Sequence, residues 1–291
     1  MKQKLDEYKH IVENNLDKIF SNQNIPHNLK EAMNYSLSAG GKRLRPVLCM
    51  VWGELFGLDK NSLLNFATSL ELIHTYSLVH DDLPAMDNDD YRRGKPANHI
   101  QFGEATAILV GDGLLTEAFK LMLDNDLPAD RIKRATAEVA ASTGPRGMVG
   151  GQALDMSLQK QQEIQLNTLK QMHSLKTAEL IKTSCLSGAI LAGSQEEDLE
   201  RVRIYGRCIG LAFQVADDIL DVVGDKSNLG KPVGSDMKAG KTTYTSLIGL
   251  EESKKIGQDL IEQALDTLQP YTGEQAEFLK ELSNYIVERI E

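Results

Sequence analysis

Apolar residues recur at steps of three and four along most of the chain. Between 62 and 80 they fall at Leu63, Leu64, Phe66, Ala67, Leu70 and Ile73, with Ser77 continuing the course. This spacing predicts an amphipathic or buried helix, because every third or fourth side chain returns to one face. Asn61 or Ser62 is placed to cap its start, and Pro84 to forbid its continuation. Similar patterns predict helices over 3–20, 27–38, 45–56, 104–123, 129–142, 167–192, 196–223, 241–249, 253–268 and 274–289. Good helix formers fill them: Ala, Leu, Glu, Lys and Gln. Alternating β-branched runs of strand length are essentially missing. Breaks are read at Gly40-Gly41, 81–98, 143–152 and 224–240. With no internal repeat, low-complexity tract or linker, residues 1–291 read as a single all-α domain.

Composition narrows the classes of partner. The hydrophobic share of 41% is enough for a substantial core. A net charge of −10 argues against nucleic acid, whose phosphates attract basic surfaces. Cys49, Cys185 and Cys208 are far apart and show no metal-knuckle spacing, so reduced thiols in a cytoplasmic protein are expected. The opening MKQKLDEYKH has no apolar stretch of the secretory kind. No apolar run approaches the length needed to cross a bilayer, so a soluble, non-spanning protein is expected.

Two acidic clusters change the picture. Asp81, Asp82, Asp87, Asp89 and Asp90 crowd the point where the 62–80 helix must stop. Carboxylates at a helix C-terminus face the negative end of the macrodipole and also repel one another. A bound cation removes both objections. The second cluster is Asp217-Asp218-Ile219-Leu220-Asp221. On a helix Asp217 and Asp221 lie one turn apart, and Gln214 shares their face. The apolar flanks Leu211-Ala212-Phe213 and Ile219-Leu220 predict carboxylates lining a cavity. Oxygen donors of this kind suit Mg²⁺, and neither cluster carries the His or Cys of a zinc site.

Basic residues stand between the acids. Lys42 and Arg45 follow Gly40-Gly41, where bare backbone allows an anion to approach. Arg92 and Arg93 follow the first acidic cluster directly. Lys176, Lys231 and Lys241 stand apart, the last two after glycine. His74 lies two helical turns before Asp81 and points along the same side. Cations flanking two metal-binding clusters suggest a ligand with more than one phosphate, gripped by Lys and Arg directly and by carboxylates through metal. No Walker-type loop or kinase signature occurs, which disfavours nucleotide phosphoryl transfer.

At residues 35–250 the chain resembles the trans-isoprenyl diphosphate synthases, bacterial farnesyl diphosphate synthases in particular. The motifs that carry the likeness are GGKRLRP at 40–46, DDLPAMD at 81–87, RRGKP at 92–96, GGQALD at 150–155, Lys176-Thr177, FQVADDILD at 213–221, and the GKPVGSD and GKTTY segments after them. The resemblance implies an isoprenoid synthase-type helical bundle around a deep central cavity, as a homodimer. It implies that Asp81, Asp87 and Asp217 ligate a cluster of about three magnesium ions, with Asp82 and Asp221 in support. Arg92, Lys176 and Lys231 match contacts to an allylic diphosphate, with Lys241 nearby. Lys42, Arg45, His74 and Arg93 match the isopentenyl diphosphate pocket. Thr177, Gln214 and the Lys176 carbonyl match dipoles that stabilise a carbocation, and Gln152 and Asp155 a position near the metals. The implied reaction condenses isopentenyl diphosphate with dimethylallyl and then geranyl diphosphate to farnesyl diphosphate. Geranylgeranyl or geranyl diphosphate is the alternative product. An aromatic five residues before the first motif closes the pocket of bacterial farnesyl synthases; Tyr76 matches it. On an ideal helix Ser77 lies more nearly under Asp81 than Tyr76 does. A terpene cyclase, a non-catalytic subunit and a phosphohydrolase fit less well, because both aspartate motifs are intact and no nucleophilic aspartate context is present.

Overall fold

The apolar stripes form helices laid side by side. A computed structural model describes residues 1–21, 23–159, 163–223 and 242–288. The helices are α1 (Lys2–Ile19), α2 (His27–Leu37), α3 (Leu44–Leu55), α4 (Lys60–Asp81), α5 (Asn98–Phe102), α6 (Glu104–Leu123), α7 (Ala129–Thr143), α8 (Met148–Leu158), α9 (Leu166–His173), α10 (Glu179–Ala192), α11 (Glu196–Val223), α12 (Tyr244–Ile248), α13 (Leu250–Thr267) and α14 (Glu274–Glu288). A widened π turn, Ser174–Ala178, joins α9 to α10. A two-residue hairpin, β1 (Tyr91–Arg92) against β2 (Lys95–Pro96), is the strand pairing among the described residues.

The centre is made by α3, α4, α10 and α11. Helix α10 packs against α3, α7 and α11, while α4 lies between α3 and α6. Both α4 and α10 are buried on most sides along their length, as helices surrounded by other helices are. Gly188 lets α10 come close to α3: a Cβ there would lie 2.0 Å from the Cys49 carbonyl oxygen. Trp52 of α3 meets Tyr205 of α11 edge-on at 5.2 Å, with Tyr271 closing the cluster at 6.0 Å. A connected set of buried side chains runs from Tyr8 to Ile286. No described helix is long and apolar enough to cross a membrane.

The structure departs from the pattern reading in five places. Helix α4 starts earlier, because Asp59 is its cap and accepts from the Asn61 backbone N–H at 2.9 Å. The break at 81–98 contains the hairpin, and α5 follows it. The break at 143–152 contains the first turn of α8. The helix expected over 167–192 is interrupted by the π turn. Within 241–249 the described helix is only Tyr244–Ile248, started by a capping box between Thr243 and Ser246. Lys231 and Lys241, with the GKPVGSD segment, lie outside the described residues.

Candidate active site

The first acidic cluster is built by the way α4 ends. Asp81 is its last residue and Asp82 its cap. The chain then folds back: Met86 N–H donates to the Leu83 carbonyl at 2.9 Å, and Asp87 N–H to the Asp81 carbonyl at 2.8 Å. Asn88 closes the loop in a left-handed conformation, φ 54°. Asp87 is thereby set against Asp81. Oδ1 of Asp87 is buried with no hydrogen-bond partner. Burial pushes the Asp81 carboxyl up to about 6; Lys176 opposes the shift and Asp87 adds to it. An orphaned carboxylate oxygen beside a desolvated carboxyl is an arrangement a hard divalent cation fits. Among the described residues, no three acidic, His or Cys groups already converge as a metal cage.

Asp82 points elsewhere. It is buried and takes the guanidinium of Arg92, whose Nε donates to Oδ1 at 2.9 Å and whose Nη2 also reaches Oδ1. Asp89 accepts from the same Nη2 at 3.1 Å. Arg92 is thus held at the foot of the acidic loop by two carboxylates.

A second wall is formed by the π turn. Lys176 Nζ donates to Asp155 Oδ2 of α8 at 2.6 Å. Burial works against the ammonium, but Asp155, Asp81 and Asp87 outweigh it and raise its pKa. Lys176 therefore feels the acidic loop of α4 across the site. Such widened turns recur at functional positions, and here glycines permit it. A Cβ on Gly151 of α8 would stand 2.3 Å from the Lys176 backbone nitrogen, and one on Gly210 of α11 2.6 Å from the Ala178 Cα. Gln152, also on α8, is buried with both amide atoms unpartnered.

The third wall is α11. Thr177 Oγ1 donates to Gln214 Oε1 at 3.1 Å, and Gln214 Nε2 donates to Asp218 Oδ1 at 2.9 Å. Asp217 is half-buried and Asp221 buried, one turn apart on this helix. The π turn thus touches α11 through Thr177 and faces α4 through Lys176, which draws both aspartate motifs to one region.

Beside this region lies a group of cations. Arg43 adopts a left-handed conformation, φ 51°. Its buried guanidinium donates to Glu71 Oε1 at 2.7 Å and to the Leu37 carbonyl at 2.6 Å, locking the glycine loop onto α4 and α2. Lys42 next to it is exposed, with its ammonium 4.8 Å from the Phe213 ring centre of α11. Burial lowers Arg45 to about 10; Glu71 opposes this and Arg93 adds to it. Arg93 is lowered too, by burial first, and its Nη1 donates to the Gly40 carbonyl. Burial, then Arg45, Arg93, Arg43 and Arg92, holds His74 well below its ordinary value, so the ring is neutral. So dense a cluster of cations favours an anion between them.

Tyr76 is buried, its ring edge-on to His80 at 5.9 Å. Burial and then Asp81 raise its phenol to about 12, so it stays protonated. Ser77 is half-buried and donates to the His74 carbonyl at 2.9 Å.

Sequence reasoning missed the roles of Arg43, Glu71 and Asp218. Glu71, a lone carboxylate inside the apolar 62–80 run, is the signal that could have exposed the first two, since a buried charge needs a partner.

A family model for polyprenyl synthetase matches residues 26–282. The chain belongs to this family, the trans-isoprenyl diphosphate synthases. The chain is 48% identical over 264 residues to farnesyl diphosphate synthase of Micrococcus luteus, covering 90% of this chain and 89% of the relative. It is 46% identical over 287 residues to geranylgeranyl diphosphate synthase of Cyanophora paradoxa, covering 98% and 95%. Its fold superposes on the crystal structure of an FPP/GFPP synthase from Zymomonas mobilis with a TM-score of 0.87, at 34% identity and 98% coverage of both chains. The likeness extends over nearly the whole length, so the helical architecture and the prenyltransferase class are those of the family.

Proposed function

We propose that this prenyltransferase condenses isopentenyl diphosphate with dimethylallyl and then geranyl diphosphate to give farnesyl diphosphate, by ionisation, condensation and elimination. The observation that carries the reading is the half-buried Asp81–Asp87 pair facing Lys176, with Thr177 bonded to Gln214 of α11. Asp81, Asp87 and Asp217 would hold the magnesium ions, with Asp82 and Asp221 behind them. When bound, magnesium supplies positive charge to the departing diphosphate. In this reading Lys176 and Arg92 bind the same diphosphate, and Lys231 and Lys241 join them by family likeness. Charge grows on that diphosphate as the allylic C–O bond breaks, and fixed cations act most strongly where charge develops. Lys42, Arg45, Arg93 and neutral His74 bind isopentenyl diphosphate. The Thr177 hydroxyl and the Gln214 carbonyl turn electron-rich atoms toward the carbocation without trapping it. The buried surroundings keep out water, which would quench the cation to an alcohol. The departing diphosphate then takes the proton, so no His or Glu serves as base.

Three further features belong to this reading. Residues 1–291 form one domain. The buried, free thiols Cys49, Cys185 and Cys208 suit a cytoplasmic protein. The exposed Ile100, Ile108 and Leu109 on α5 and α6 suit a homodimer interface.

Geranylgeranyl diphosphate is the second reading of the product, favoured by the 46% identical relative that bears that name. Incubation with Mg²⁺, dimethylallyl diphosphate and isopentenyl diphosphate, followed by chromatography of the dephosphorylated products, tests both. Farnesol supports the first reading and geranylgeraniol the second. Phosphate release without chain growth refutes the class of reaction.

A further inference from the structure

Thr177, Gln214 and Asp218 form a chain of hydrogen bonds whose direction is decided at its buried end. Asp218 is 2% exposed. Its Oδ2 accepts from the Tyr244 backbone N–H at 2.9 Å, and its Oδ1 accepts from Gln214 Nε2 at 2.9 Å. A carboxylate accepts and does not donate. The Gln214 amide must therefore turn its NH₂ toward Asp218, which leaves Oε1 on the opposite side. There Thr177 Oγ1 donates its single proton, at 3.1 Å. What the hydroxyl offers beyond that bond is lone pairs only.

We propose that Asp218 is a positioning residue that sets the polarity of this chain. It makes Thr177 and Gln214 present electron-rich oxygens, and no N–H or O–H proton, to the positive charge of the ionised allylic group. The inference rests on the functional reading above and gives Asp218 a task distinct from metal binding.

Geometry makes the idea testable by exchanging one atom for another. In Asp218→Asn the Tyr244 N–H still needs an acceptor, so the side-chain oxygen stays there. The new NH₂ then faces Gln214. Gln214 has to turn over, presenting its carbonyl to residue 218 and its NH₂ to Thr177. Thr177 becomes an acceptor and aims its proton outward. The shape of the site is unchanged and its polarity is reversed. Adding Gln214→Glu restores the first arrangement, because a glutamate accepts both from the new NH₂ and from Thr177. This double variant keeps the total charge of the wild type.

The experiment measures kcat, both KM values, the prenyl alcohol formed by water capture, and Mg²⁺-dependent affinity for inorganic diphosphate. Asp218→Asn is expected to lower kcat by about tenfold or more. Its KM values should stay within about twofold, with unchanged diphosphate affinity and more alcohol. The Asp218→Asn, Gln214→Glu pair is expected to recover most of the loss. Wild-type kcat in Asp218→Asn overturns the proposal. So does weakened diphosphate affinity that the double variant fails to repair, which would make Asp218 a metal ligand. An Asp218→Asn protein that does not fold contradicts the retained Tyr244 bond and overturns it as well. Absence of chain growth in the wild type would instead remove the functional reading itself.

Discussion

Single side chains in this protein do tasks that their positions in the sequence only partly disclose. The aspartates of the first motif were legible because five acids at a helix end make no sense without a cation. The cation side was half legible. Lys42 and Arg45 were visible beside two glycines, whereas the Arg43–Glu71 pair that fastens that loop depends on a contact between α3 and α4 that spacing does not reveal. Tyr76 shows the same limit. Helical geometry turned it away from Asp81, yet its ring is buried against His80. His80 Nε2 lies 3.0 Å from the Ile108 carbonyl of α6, in space left by Gly111, where a Cβ would lie 1.9 Å from that nitrogen. Tyr76 thus packs against the side chain that reaches from α4 to α6, and on the functional reading above it closes the gap between these helices. Tyr76→Ala should open this gap and move the product from farnesyl toward geranylgeranyl diphosphate or longer, while Tyr76→Phe should keep the wild-type product. Product chromatography of both variants checks this. An unchanged chain length in Tyr76→Ala would assign the floor to another residue.

At the level of elements, most long helices were legible, whereas the site-forming irregularities, including the turn that splits 167–192, were not. Ser174–Ala178 has ordinary helix-compatible residues, so no local signal marks a π turn. It is permitted by partners distant in sequence, Gly151 of α8 and Gly210 of α11, whose missing side chains admit its backbone. Helix α8 itself was hidden, because Gly147, Gly150 and Gly151 read as a breaker when their use is close packing. A Cβ at Gly150 would lie 2.2 Å from the Pro145 carbonyl oxygen. The motif GGQALD is thus a packing device that seats the turn carrying Lys176 and Thr177. Gly151→Ala is expected to push that turn away from α8 and to lengthen the 2.6 Å Lys176–Asp155 bond. We expect kcat to fall by about tenfold or more, with a lower melting temperature. Gly57→Ala is the control. Gly57 has a positive φ of 85° but nothing within 4 Å of an added Cβ. It should lower the melting temperature through backbone strain alone and leave kcat unchanged. Equal kcat in the two variants would separate Gly151 from the turn's function.

For the whole molecule, the core and helix order follow from apolar periodicity, but the pH range of stability follows from histidines that the fold keeps neutral. His173 ends α9, is 5% exposed, and has both ring nitrogens without a hydrogen-bond partner. Its ring meets Tyr244 edge-on at 5.4 Å, tying α9 to α12. Burial pulls its pKa from 6.5 to about 4, with Asp155 opposing and Lys176 reinforcing the shift. His74 is displaced in the same direction. The unfolded chain accepts a proton on His173 below about pH 6.5, and the folded chain refuses it until about 4. Between these values the unfolded state binds more protons, so stability falls as the pH drops. The contribution of neutral His173 is complete above the unfolded value and is lost on approaching the folded one. Its size is about 3 kcal/mol at most. Urea unfolding at pH 7 and pH 4.5 should show the wild type losing more stability over that interval than His173→Gln. The difference between the two losses should be about 2–3 kcal/mol, because His74 and the carboxylates contribute equally to both proteins. Parallel pH dependences for wild type and variant would mean that the folded His173 takes up its proton at the ordinary value, and that the contact between α9 and α12 is open to water.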